Sequence, residues 1–149
     1  MKKEILRKLH EIEIKENVKI LFAAESGSRA WGFASPDSDY DVRFIYVRPK
    51  EEYLRLDTVK DVIEVPINDV LDINGWDLQK ALRLLYKSNP TLFEWFSSPI
   101  IYMETEFADE FRVFFYKTKP ASLYQHGGKK LQGIFKGRYG ACEEIFLCA

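Results

Sequence analysis

The chain opens on a helical rhythm. Ile5, Leu9 and Ile12 recur every three or four residues among charged neighbours, with Leu6 and Glu13 beside them, which predicts an amphipathic helix over 2–16 ended by Asn17. The rhythm then shortens. Lys19 to Ala24 and Tyr40 to Val47 are apolar runs rich in strand-forming residues, and Pro49 stops the second. Between them the small residues of Ser26-Gly27-Ser28 predict a turn that opens a short helix at 28–31. Residues 51–56 read as another short helix. Val59–Val65 and Val70–Ile73 read as two further strands that Pro66 to Asp69 could join as a hairpin. Helical spacing returns over Asp77–Lys87, with Asp77 placed to cap it. Asn89-Pro90 then supplies a cap and a first-turn proline for a helix through Phe96. Phe107, Phe111, Phe114 and Phe115 repeat at helical spacing within 105–116, the pattern of a core stripe. Strands interleaved with helices predict an α/β (α+β) domain, with a small mixed sheet bearing helices.

One segment of this pattern carries chemistry. Side chains two apart on a strand share a face, about 6.5 Å apart along the chain, so Asp39 and Asp41 can converge on one or two cations while Tyr40, Val42 and Phe44 face a core. Mg²⁺ favours a few carboxylates together with substrate phosphate oxygens, and a pair of such ions can clamp the attacking and leaving oxygens of a phosphoryl transfer. Two carboxylates need a third. Asp72, flanked by Leu71 and Ile73, is the candidate on a neighbouring strand, with Glu64 as its rival. Upstream, Gly27 permits close approach of backbone to a phosphate, Ser28 adds a hydroxyl, and the N–H groups that follow add donors. Arg29 follows the turn and is a candidate phosphate contact. Arg43 shares a face with Asp39 and Asp41, where an ion pair with them competes with a phosphate contact.

Plainer roles exist for the same residues. The Ser35-Pro36-Asp37-Ser38-Asp39 cluster has the composition of a solvated turn held by short polar side chains. Asp72 could be a turn acid ahead of Asn74-Gly75, and Trp31 a packing aromatic of the turn. Lys80 and Arg83 share a helix face; Arg83 is expected in solvent, and Lys80 could reach either solvent or an acceptor.

Gly27-Ser28-Arg29-Ala30-Trp31-Gly32, followed by Ser35-Pro36-Asp37-Ser38-Asp39-Tyr40-Asp41-Val42-Arg43, closely resembles the signature of the DNA polymerase β-like nucleotidyltransferases: a Gly-Ser turn, an Asp-x-Asp strand, then a lone acid on a third strand. More narrowly it is similar to the family of predicted nucleotidyltransferases that includes the RNA-ligase-associated type. Gly75-Trp76-Asp77-Leu78 and Asn89-Pro90-Thr91-Leu92-Phe93-Glu94-Trp95 add to that likeness, which spans roughly 18–125. The resemblance implies the polymerase β-like fold and a metal-dependent transfer of a nucleoside monophosphate from a nucleoside triphosphate (NTP) to a hydroxyl, with release of pyrophosphate. It assigns Asp39, Asp41 and Asp72 to two Mg²⁺ ions, with Mn²⁺ as the substitute, and Gly27, Ser28 and Arg29 to the nucleotide. For the acceptor it points to an RNA end. The alternatives are a protein or small-molecule acceptor, or an inactive nucleotide-binding or interaction module. The resemblance also implies further helices, yet the matching pattern fades after about Gly128. Residues 1–128 are therefore expected to form the nucleotidyltransferase core. Residues 129–149 are expected to be an atypical tail, truncated or disordered, that leaves an apolar face for self-association.

Composition sets the bounds. A chain of 149 residues, 46% hydrophobic and 15% aromatic, has enough apolar material for one core. Its formal net charge of −1 excludes a strong global field for nucleic acid, so an RNA partner must meet a local patch. Cys142 and Cys148 lack companions at metal spacing, and His10 and His126 are isolated, so neither disulfide, zinc site nor catalytic histidine is expected. No apolar run reaches the roughly 20 residues that span a bilayer and no signal-peptide core opens the chain, so no membrane partner and a cytoplasmic setting are expected.

Overall fold

The computed structural model describes residues 1–33, 35, 38–68, 70–87 and 89–111. Its first helix, α1 (Lys2–Glu16), forms over the predicted span and ends where Asn17 takes the left-handed conformation at φ 51°. α1 lays Ile5, Leu9 and Ile12 on the sheet, and each such buried side chain contributes about 1.5–3 kcal/mol.

Five strands make one mixed sheet in the order β3-β4-β2-β1-β5: β1 (Lys19–Glu25), β2 (Tyr40–Val47), β3 (Val62–Asn68), β4 (Leu71–Asp77) and β5 (Ile101–Glu104). β2 and β4 run parallel, and the remaining neighbours are antiparallel. The four-residue helix α2 (Lys50–Tyr53) follows β2. Helices α3 (Leu78–Tyr86) and α4 (Pro90–Ser97) follow β4, and a further helix, α5, covers 106–111.

The alternation of strand side chains sorts the core into two layers. Val42, Phe44 and Tyr46 of β2 pack toward α1, together with Ile73 of β4. On the other face Phe22, Ala24 and Ile45 pack against Ala81 and Leu85 of α3, Leu92 and Phe96 of α4, and Phe111. Ring pairs tie this second layer together: Phe22 stacks on Phe96 at 4.4 Å and Phe96 on Phe111 at 4.6 Å, while Trp76 lies tilted against Trp95 at 3.9 Å between centroids. Phe107 and Phe111 thus belong to a core stripe as expected; Phe114 and Phe115 lie outside the described residues, as do His126, both cysteines and the whole 129–149 tail.

Caps hold as read. Asp77 Oδ1 accepts from the N–H of Gln79 at 2.8 Å, and Asn89 Oδ1 accepts from those of Thr91 and Leu92. Asp77 is buried because its second oxygen has a partner too, the Tyr53 hydroxyl at 2.8 Å.

Several expectations change. Residues 28–31 form successive turns, with bonds from Ala30 N–H to the Gly27 carbonyl and from Trp31 N–H to that of Ser28, so no helix develops there. β3 begins at Val62 instead of Val59, and α2 covers 50–53 rather than 51–56. β4 runs on through Asn74-Gly75 to Asp77, where the sequence favours a turn. The Phe44 ring fills the space a side chain at 75 would need, for a Cβ there would stand 2.2 Å from the ring, and parallel pairing with β2 carries the strand through. β5, four residues of modest burial, is too short for the sequence pattern to announce; β1 recruits it.

Candidate active site

The C-terminal end of β1 and the N-terminal ends of the parallel pair β2 and β4 meet at one end of the sheet, along its three central strands. Parallel register sets Asp41 directly beside Asp72, one residue into each strand, so their side chains leave the same face about 4.8 Å apart. That face is the one α3 and α4 cover farther along. Exposure falls from 30% for the Asp41 side chain to 19% for Arg43 and to full burial at Ile45, so the helices stop short of the acid pair and leave it open.

The Gly27 turn packs against Asp41. Ser26 N–H donates to the Asp41 carbonyl at 2.8 Å, and Asp41 Oδ2 lies so near Gly27 that a Cβ there would stand 1.7 Å from it. Any side chain at 27 would displace the carboxylate. Ser28 follows at the rim of the site, its carbonyl engaged by Trp31 and Phe33 N–H groups.

Arg43 supplies the positive charge. Its Nη2 donates to Asp72 Oδ2 at 2.6 Å and to Asp41 Oδ1 at 3.2 Å, while Nη1 donates to the Val42 and Asp72 carbonyls at 3.2 and 3.3 Å. The ion pair expected for Arg43 with Asp41 is formed, and its second carboxylate is that of Asp72 on the neighbouring strand, where the sequence pointed to Asp39.

Arg29 takes a different place from Arg43. Its Nε and Nη2 donate to the Ser38 carbonyl at 3.0 and 2.5 Å, Nε also donates to that of Asp39 at 3.2 Å, and its guanidinium lies 4.0 Å over the Tyr40 ring. Since Tyr40 faces the α1 side, Arg29 straps the 38–40 segment from behind the sheet. Ser35 and Ser38 complete the strap: Ser38 N–H donates to the Ser35 carbonyl, and Ser38 Oγ accepts from Ser35 N–H at 2.8 Å. Ser35 and Ser38 are thus tied to each other, Pro36 and Asp37 lie outside the described residues, and Asp39 follows as an exposed residue just ahead of β2.

Glu64 stands on the acid face one strand farther out, exposed and within 3.4 Å of Asn74 Nδ2, away from Asp41. Lys80 pairs with Asp61 at 3.2 Å, Arg83 lies exposed against Gln79, and Trp31 donates to the Ser26 carbonyl and to Glu94 of α4, holding the turn to the helical layer.

Sequence reasoning assigned no role to Glu25. It is fully buried at the end of β1, where its Oε1 accepts from the Asp41 N–H at 2.7 Å and its Oε2 from the Tyr102 hydroxyl at 2.5 Å. Burial, with the Glu25 carboxylate at its hydroxyl, pushes the Tyr102 phenol far above its ordinary range. The signal was present: a charged residue closing an apolar strand directly before a Ser-Gly-Ser turn. A cleft of about 400 Å³, lined by Lys2, Glu25, Arg29, Tyr40 and Tyr102 among others, opens on this α1 side, across the sheet from the acid pair.

The model of the RNA repair pathway DNA polymerase beta family matches residues 1–126 of this chain. The chain belongs to that family. It is similar to the Uncharacterized protein YcgL of Bacillus subtilis (strain 168), with 61% identity over 104 residues that make up 70% of this chain and 40% of that protein. The chain therefore spans less than half the length of that relative. No solved structure matches it.

Membership of the RNA repair pathway DNA polymerase beta family bears out the polymerase β-like assignment, and the mixed five-stranded sheet with its helices accords with that fold. Polymerase β-like nucleotidyltransferases generally use divalent metals. In this family member the donor chemistry fits a hard cation, because Asp41 and Asp72 present carboxylate oxygens to one point that a guanidinium nitrogen now fills. Among the described residues no three acidic, imidazole or thiol groups close into a metal-binding cluster, so Asp39 stays apart from the pair. Nor is any helix among them long and apolar enough to cross a membrane.

Proposed function

We propose that this domain binds a nucleoside triphosphate with Mg²⁺ at the Gly27 turn and transfers its nucleoside monophosphate to a hydroxyl acceptor. The observation that carries this reading is the convergence of Asp41 and Asp72 beside a glycine that tolerates no side chain. Asp39, Asp41 and Asp72 would hold the metal, which when bound neutralises the triphosphate and favours ionisation of the attacking hydroxyl. Two carboxylates that converge and one that stands ready at the loop suit Mg²⁺, which completes its shell with substrate phosphate oxygens.

The chain's own groups do the positioning. Gly27 and Ser28 receive the β- and γ-phosphates on backbone N–H groups and a hydroxyl, and Arg29 acts by fixing the segment that carries Asp39. The acceptor oxygen attacks the α-phosphorus, the bond to the β-phosphate oxygen breaks, pyrophosphate leaves, and the hydroxyl proton passes to solvent. Alignment of the two reactants accounts for much of the acceleration such a site achieves. The family description, an RNA repair pathway, supports an RNA end as acceptor. A cytoplasmic setting, where nucleoside triphosphates are held, fits this function.

A second reading follows from Arg43, whose occupation of the cation seat also suits a domain that binds nucleotide without transferring it. One assay separates the two. α-³²P-labelled NTPs are offered with Mg²⁺ to RNA ends, proteins and small alcohols. Label transfer with stoichiometric pyrophosphate, lost in Asp41→Asn, is expected. Nucleotide binding without pyrophosphate release in the presence of any acceptor would favour the non-catalytic module.

A further inference from the structure

Two carboxylates directly opposite one another on neighbouring strands repel, and a ladder holding such a pair needs a cation between them. In this chain Arg43 provides it. The residue stands two positions along β2, opposite Asn74, and reaches back along the strand to both acids. Its Nη1 is tied to the Val42 and Asp72 carbonyls, so the guanidinium is anchored while Nη2 alone spans the two carboxylates. Asp41 Oδ2 is pressed against Gly27, so Oδ1 is the oxygen that faces outward, and Arg43 holds that one.

We infer that Arg43 is an exchangeable counter-cation, which keeps Asp41 and Asp72 together before metal arrives and yields its Nη2 contacts when a divalent ion binds. The inference rests on the metal-site reading proposed above and adds its regulation. A divalent ion ligated by Asp41 Oδ1 and Asp72 Oδ2 needs the place that Nη2 fills, since metal–carboxylate bonds are shorter than any guanidinium contact. Guanidinium and metal therefore compete, and by linkage each weakens the hold of the other. The exchange makes apo-domain integrity and metal affinity opposing functions of one side chain. It also biases the site toward ions that arrive with phosphate, whose oxygens supply the rest of the coordination shell and raise the effective affinity.

The test is Mn²⁺ binding to the full chain without nucleotide, with free Mn²⁺ counted by electron paramagnetic resonance, in wild type, Arg43→Gln and Arg43→Lys. Arg43→Gln should bind Mn²⁺ about fivefold tighter or more, with a lower metal-free melting temperature and a larger rise on adding metal. Arg43→Lys should fall between it and the wild type, and the double variant Arg43→Gln/Asp72→Asn should lose the gain. Binding by wild type that Arg43→Gln leaves unchanged or weakens overturns the exchange and leaves the metal site standing. Absence of binding in every folded variant overturns the metal site with it. Should Arg43→Gln fail to fold, the side-chain N–H resonances of Arg43 in the wild type decide. They should shift as Mg²⁺ saturates the site, and resonances that stay in place overturn the exchange.

Discussion

Gly27 and Asp41 are in contact so close that the carboxylate leaves no room for a Cβ, its Oδ2 standing 1.7 Å from where that atom would be. The glycine turn and the acid strand are therefore one unit. Gly27→Ala should push the Asp41 carboxylate aside while the cores on both faces of the sheet remain. We expect nucleotidyl transfer to drop by about 100-fold with little change in the circular dichroism spectrum. Transfer kinetics on the alanine variant check this, and retained activity would detach the turn from the chemistry.

The three acids should separate in kinetics. Asp39→Asn and Asp41→Asn are expected to weaken Mg²⁺-nucleotide binding without unfolding the domain, since each removes charge and keeps volume. Asp72→Asn should lower kcat more than nucleotide affinity. Each loss should exceed the roughly 10–100-fold typical of changing an outer partner of a metal ligand. Glu64→Gln, whose side chain reaches Asn74 and not the acid pair, should have little effect. A larger loss from Glu64→Gln than from Asp72→Asn would move the third acid to β3.

Glu25 is predicted to be a positioning residue. Glu25→Leu strands two part-buried donors, the Asp41 N–H and the Tyr102 hydroxyl, at up to about 1–3 kcal/mol each, so the melting temperature should fall. Glu25→Gln keeps an oxygen for Asp41, and the Tyr102 hydroxyl can turn to accept from the amide. It should fold and bind Mn²⁺ much as the wild type does. Equal melting temperatures for the leucine variant and the wild type would remove this role.

Alkaline pH should loosen the Asp77 corner. Burial first, then the bond to Asp77, raises the Tyr53 phenol from 10.0 to about 12 against the lowering effect of the Arg48 N–H. The unfolded phenol ionises from pH 10 while the folded one keeps its proton, so the unfolded state binds fewer protons and stability falls with rising pH over the window from 10 to about 12. The contribution is complete below pH 10. Tyr53→Phe should flatten that part of the melting-temperature profile, although the Tyr46 phenol, also raised to about 12 by burial, leaves a residual slope. Asp77→Ala, which also removes the α3 cap, should cost about 1–3 kcal/mol by chemical denaturation.

By itself the sequence determined what short-range chemistry controls. α1 has its predicted bounds because apolar spacing and the Asn17 cap are local properties, and the same holds for β2 between its polar turn and Pro49. Asp77 and Asn89 announced their helices for the same reason. The motif residues Gly27, Asp41 and Asp72 were legible as residue types suited to phosphate and metal, and Asp72 could be named because apolar neighbours marked it as a strand residue. Tertiary structure decided the rest. Which acid faces Asp41 depends on the parallel register of β2 and β4, a pairing across some thirty residues of chain that no local pattern encodes. Asn74-Gly75 carries a local turn preference that Phe44 packing and ladder hydrogen bonds override. Arg29 and Arg43 look alike in the sequence, both basic and both near the acids. The direction in which each side chain leaves the backbone separates them, Arg43 onto the acid pair and Arg29 behind the sheet onto Tyr40. Glu25 went without a role because burial and two hydrogen-bond donors made its function, and both donors come from other strands.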